Sequence, residues 1–195
     1  MLPPISFPTN PALAWCRRIG AALALLAALT TLGGGALAAT TSTAEYTEVT
    51  RLLHAGQGAE ALAQADRYIA ANPRDPQMQF IKAVVLSETG HADQAEPILL
   101  KLTRDYPELA EPYNNLAVLY AARGELGLAR EALDNALRIN PKYATARENL
   151  GDVYARLARQ AWQQAREADK TNDRLAPKIE AIDKLLAPAD KPAGR

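Results

Sequence analysis

An all-α solenoid of stacked helix hairpins is the fold that this 195-residue sequence predicts, on three observations. Apolar and aromatic residues recur at three-to-four spacing in short segments, the pattern of a single helix face. A glycine separates each pair of segments, and a proline closes the pair. The arrangement then repeats every 34 residues, at Gly56, Gly90 and Gly124, at Ala61, Ala95 and Ala129, and at Pro73, Pro107 and Pro141. One hairpin cannot bury its own apolar face, so recurrence is what gives such a chain a continuous core.

Residues 1–38 stand outside that pattern and read as a signal peptide. Arg17 and Arg18 precede Ile19 to Leu32, 14 residues without a charge, followed by Gly33-Gly34-Gly35 and Ala36-Leu37-Ala38. A basic flank, a short apolar core and small residues before a cut are the parts of a secretory leader. Cleavage is expected after Ala38, or else after Ala39. The alternative is an uncleaved membrane anchor, since Ile19 to Ala39 is long enough to cross a bilayer. Cleavage would remove Cys16, the only cysteine, and with it any disulfide or thiolate ligand. The whole chain balances 22 basic against 22 acidic residues, which argues against a nucleic-acid partner.

The hairpins follow in order. Repeat one (42–75) carries Tyr46, Val49, Leu52 and Leu53 on its first helix and Ala61, Leu62, Ala65, Tyr68 and Ile69 on its second. Repeat two (76–109) puts Gln79 and Lys82 where apolar residues are expected, with Phe80, Ile81, Val84 and Val85 supplying the mass. Its Pro97 is tolerated only near a helix start, so the second helix is expected to begin near Asp93. Repeat three (110–143) is the most regular. The fourth unit (144–170) has no Gly or Pro at the turn position, and its linking segment is five residues shorter than that of repeat three. One continuous helix over 144–168 is expected there. Leu175, Ile179, Ile182 and Leu186 then mark a capping helix within 171–186, folded back on Leu157, Ala161 and Ala165 with Trp162 partly covered. Residues 187–195, rich in Pro and Ala, read as a disordered tail.

The residues Tyr113, Leu116, Ala117, Tyr120, Ala129, Leu133, Ala136 and Pro141 match the pattern of tetratricopeptide repeats, and the chain resembles that family from about Ser42 to Lys170. The resemblance implies a repeat domain over 39–170, with first helices lining a concave groove that holds a peptide. It places Tyr46, Thr50, Phe80, Val84, Glu111, Asn114, Val118, Glu148 and Asp152 along that groove, with Glu111 and Asn114 as surface positions. It also gives Asn115 and Asn149 a structural amide role. The basic clamp that some family members use for acidic C-termini is largely absent, since Tyr46, Thr50, Glu111, Asn115 and Asn149 stand at those positions.

No catalytic, cofactor-binding or metal-binding residue is expected. His54 and His91, the only histidines, belong to no ligand or triad pattern, and no phosphate loop, HExxH or nucleophile elbow occurs. Glu111, Glu148 and Asp152 read as a solvated acidic face rather than an acid–base pair. The function expected is a non-enzymatic interaction scaffold of the bacterial cell envelope, periplasmic after export, with a protein or peptide partner. A membrane-anchored accessory subunit of an envelope enzyme or assembly complex, of the kind seen in cytochrome c maturation, is the second reading. A periplasmic enzyme is the third.

Overall fold

The computed structural model describes residues 35–187, so most of the expected signal peptide (residues 1–34) and nearly all of the expected disordered tail (residues 188–195) lie outside the described residues. Among those described there are eight helices and no strand: α1 Gly35–His54, α2 Gly58–Ala71, α3 Pro76–Glu88, α4 Ala92–Asp105, α5 Ala110–Ala122, α6 Leu126–Ile139, α7 Ala144–Ala168 and α8 Leu175–Leu186. Each helix packs on the next, and the first helices α1, α3, α5 and α7 also touch in succession. Two layers result, with the odd-numbered helices side by side in one and α2, α4 and α6 in the other.

Glycine sets the reversal inside each hairpin. Gly56, Gly90 and Gly124 have φ of 76°, 86° and 78°, in the left-handed region. An added Cβ at these positions would meet nothing within 4 Å, so the backbone angle rather than space selects glycine. Each lets the following amide reach back to the last helical turn: Gln57 N donates to Leu52 O (2.9 Å), His91 N to Leu86 O (2.8 Å) and Glu125 N to Tyr120 O (2.9 Å). This six-to-one bond is the Schellman closure of a helix C-terminus. Between hairpins the prolines do the equivalent work. Asn72, Tyr106 and Asn140 precede them at φ of −131°, −136° and −124°, and their carbonyls accept from Asp75, Leu109 and Tyr143 across a four-residue turn.

The core follows from the small residues. Ala61, Ala95 and Ala129 are fully buried, as are Ala83, Ala117 and Ala136, where neighbouring backbones come close. Leu99, Leu133, Leu116 and Val153 fill the main core between them, and Val49, Met78, Ile81 and Val85 form a second core at the first repeat. The polar intrusions in repeat two are satisfied locally. Lys82 pairs with Asp66, and Gln79 Nε2 donates to Pro73 O at 2.7 Å. In the fourth unit Arg147 makes the equivalent bond to Pro141 O at 2.6 Å. Where the aromatic of repeat three is missing, a long donor caps the preceding turn instead.

α7 runs for 25 residues without a break, so the fourth unit has a single helix where the others have two. Leu175 and Ile179 of α8 are buried against it, Lys178 Nζ stands 5.6 Å from the Trp162 ring, and Arg159 pairs with Asp183. The expected partial cover of Trp162 is present, and Leu157 is partly buried against the main core. Ala161 and Ala165, expected beneath α8, are instead exposed, while Ala158 and Arg159 are partly covered. A methyl group offers less contact area than the Trp162 ring or the arginine stem.

α4 begins at Ala92, one residue before the expected start near Asp93, so Pro97 is its sixth residue and lies within the helix. Asp93 O therefore lacks its intrahelical donor, and the site is exposed to water. Pro97→Ala is expected to raise the unfolding free energy by about 1–3 kcal/mol in urea titration, the upper end being the full interior cost of proline. An unchanged midpoint would mean that the lost bond carries no cost at this position.

Candidate functional site

The candidate site is the face of α1, α3, α5 and α7, where residues 34 apart fall in register. One row along it is Tyr46, Phe80, Asn114 and Glu148, and the next is Thr50, Val84, Val118 and Asp152. The structure puts these rows on four helices in contact, yet it treats their members differently.

Tyr46 is tied down. Its hydroxyl donates to Asp75 Oδ2, the Tyr68 hydroxyl donates to the same oxygen at 2.9 Å, and the two rings meet edge to face with centroids 5.8 Å apart. Asp75 Oδ1 meanwhile accepts from the amides of Gln77 (2.9 Å) and Met78 (3.3 Å), capping α3 with Pro76 in its first turn. Burial, then the Asp75 carboxylate, push the Tyr46 phenol well above its ordinary pKa. One carboxylate thus caps a helix and locks repeat one to repeat two. Sequence reasoning assigned Tyr46 to the groove and missed this role, although Asp75-Pro76 carried the signal of a helix start.

Asn114 is a second correction. It is 1 % exposed and accepts from Asn149 Nδ2 at 2.8 Å, so it joins α5 to α7 instead of presenting an amide to solvent. Asn115, 4 % exposed, donates from Nδ2 to Glu111 O at 3.0 Å, which is the structural amide role expected of it. Phe80 packs against the main core, Val118 is a buried core residue at 3 % exposure, and Val84 is half-buried. Thr50 spends its hydroxyl on Tyr46 O at 2.8 Å, within its own helix.

The acidic members lie toward the C-terminal repeats. Glu148 is exposed, and Glu111 and Asp152 are half-buried. Burial, and then the charge of Glu111, push the Tyr143 phenol up to about 12. On α3, burial raises the Glu88 carboxyl while the neighbouring His54 charge opposes the shift. Both histidines are exposed, and His91 Nδ1 lies 3.1 Å from Thr89 Oγ1. Among the described residues no group of three or more His, Cys, Asp or Glu side chains is placed to hold a metal ion.

Two contacts that hold the face in shape were not anticipated. Arg123, at the turn of repeat three, pairs with Glu96 of repeat two (2.6 Å) and with Glu125 (2.9 Å), and lies over Tyr120 at 5.2 Å from the ring centroid. At the turn before it, a Cβ on Gly58 would come within 2.4 Å of Thr89 Cγ2. Thr89 is itself held by its bond to Val85 O at 2.8 Å. No local sequence pattern marks either contact, because both partners lie a repeat away.

A tetratricopeptide repeat profile matches residues 46–110 and a TPR repeat profile matches residues 119–157. This chain carries tetratricopeptide repeats. Over 78 residues it is 36 % identical to the TPR repeat-containing thioredoxin TTL4 of Arabidopsis thaliana, covering 40 % of this chain and 11 % of that protein. Over 89 residues it is 32 % identical to the photosystem I assembly protein Ycf3 of a Synechococcus strain, covering 43 % of this chain and 51 % of that one. The chain therefore spans about half the length of one relative and about a tenth of the other. A thermophilic TPR protein of Thermus thermophilus superposes with a TM-score of 0.57 at 23 % identity, covering 75 % of this chain and 83 % of that structure. These tetratricopeptide repeats thus share their fold with known repeat arrays.

Asn114→Ala removes the acceptor for Asn149 at a closed site. It is expected to lower the unfolding free energy by about 1–3 kcal/mol, the usual cost of stranding a buried polar partner. Asn114→Ala combined with Asn149→Ala should cost less than the two single changes added together, measured by a double-mutant cycle. Strict additivity would show that the two amides do not interact.

Proposed function

We propose that this protein is a non-catalytic interaction scaffold of the bacterial cell envelope that holds a peptide segment of its partner along the face of α1, α3, α5 and α7. The observation that carries this reading is the side-by-side stacking of these four helices. It aligns apolar Phe80 and Val84 with acidic Glu111, Glu148 and Asp152 on a continuous face. A row of apolar side chains and charges at fixed spacing suits an extended or helical peptide. The repeat profiles support the same role, since tetratricopeptide repeats are protein–protein interaction modules. The relative named for photosystem I assembly is in keeping with an assembly role.

Support for the envelope comes from the leader pattern of residues 1–38, and the proposed compartment is the periplasm. One observation favours the anchored alternative. α1 starts at Gly35 and continues through Ala38 and Ala39, the expected cleavage positions. Proteolysis favours exposed, irregular chain, so a helix across the cut resists it. In that reading residues 19–39 stay as an anchor and the repeats serve a membrane complex. Among the described residues no helix is long and apolar enough to cross a membrane.

Intact-mass measurement of the native protein separates the two readings. A chain starting at Ala39 or Thr40 is expected, and a mass that includes Met1 to Arg18 would instead establish the anchor. For the face itself, Glu111→Ala with Glu148→Ala should weaken capture of the partner from crosslinked envelopes while changing stability by only about 0.5 kcal/mol. Unchanged capture by this variant would remove the acidic end from the binding face.

A further inference from the structure

We propose that α7 carries a self-association face, on which a second copy of this chain docks antiparallel. This face is distinct from the peptide-holding one, since Tyr154 stands about 160° around the helix from Asp152. Leu150, Gly151 and Tyr154 lie 34 residues after Leu116, Ala117 and Tyr120. In repeat three Leu116 and Ala117 are buried and Tyr120 is half-buried. The fourth unit has no second helix of its own, and these positions open. Leu150 is half-buried, Tyr154 is 51 % exposed, and a Cβ on the exposed Gly151 would meet nothing within 4 Å. The stripe continues through Ala161, Ala165 and Ala168, all exposed, because α8 rests beside it on Trp162 and Arg159. Another apolar surface is what stabilises such a stripe in water.

The order of residues along the stripe identifies the occupant. Bulk lies in its first half, at Leu150 and Tyr154, and alanines fill its second half. Charge is divided in the same way: Arg147 stands before the stripe and Asp169 after it, both exposed. A second α7 laid antiparallel therefore meets the first with complementary chemistry along its length. Tyr154 lies opposite Ala161 of the second copy, Leu150 opposite Ala165, and Arg147 opposite Asp169, with Leu157 and Ala158 at the twofold axis. Each pair occurs twice, as an isologous contact requires. A helix of another protein would need this order of bulk and charge by coincidence, whereas a second copy supplies it by symmetry. Arg147 and Asp169 are held locally, by a bond to Pro141 O at 2.6 Å and by a bond from Thr171 N at 3.0 Å. A guanidinium has five donors and a carboxylate two oxygens, so both keep capacity for a partner. Room for the second copy comes from the length of α7. Its first half carries the repeat stack, so antiparallel pairing sets the two stacks at opposite ends of a contact about 33 Å long.

One helix pair is at the small end of specific interfaces, so a concentration-dependent dimer is expected, read by sedimentation equilibrium of the native protein. Arg147→Glu and Asp169→Lys should each weaken the dimer roughly tenfold, as two surface ion pairs become two repulsions. The two changes together restore opposite charges and should return the dissociation constant to within about threefold of the native value. Ala161→Arg puts bulk where Tyr154 of the second copy seats. Its site is exposed and arginine is a good helix former, so the melting temperature should hold while only monomer remains. A native protein that stays monomeric up to millimolar concentration overturns the proposal. A dimer that Ala161→Arg leaves intact lies on another surface and overturns it as well. So does a paired reversal that melts like the native protein yet fails to restore association. Recovery by the paired reversal, with loss in Ala161→Arg, establishes the antiparallel register.

Discussion

A left-handed backbone angle, imposed once per hairpin at Gly56, Gly90 and Gly124, is the constraint on which this architecture depends. It ends the first helix and sends the next amide back onto the carbonyl five residues earlier, so the second helix must leave antiparallel. With the reversal fixed, Ala61, Ala95 and Ala129 are fully buried at the same place in each hairpin. The fourth unit shows what happens without it. No glycine stands near Ala158, and the chain continues as α7 for nearly three more turns beyond that point.

The period, the glycine turns, the proline breaks and the loss of the last turn were legible because each is local chemistry at a numbered position. Contacts between repeats were not. Asp75 looks like a helix cap in sequence, but its second task depends on Tyr46 lying 29 residues before it and Tyr68 lying seven before it. Asn114 reads as a groove amide from its repeat position, and only Asn149 on the next first helix closes it off. On α7 the partial cover of Trp162 was legible, whereas Ala161 and Ala165 stay exposed for a related reason. An apolar stripe predicts that a face is buried, but bulk decides where the neighbour rests, and Trp162 with the Arg159 stem offers more than Ala161 or Ala165.

The row Tyr46, Phe80, Asn114 and Glu148 shows how one register serves different ends. The first three members hold neighbouring elements together through a hydroxyl, a ring and an amide, while Glu148 is exposed. Repeat position therefore limits what a residue can touch without fixing which contact it makes.

α7 has one further consequence. A continuous helix of 25 residues is about 37 Å long and resists bending along its length. Its first half belongs to the repeat stack and its second half is held chiefly by α8. Because the helix is unbroken, a change in the tilt of its first half would be carried to Trp162 and to the Arg159–Asp183 pair at the other end.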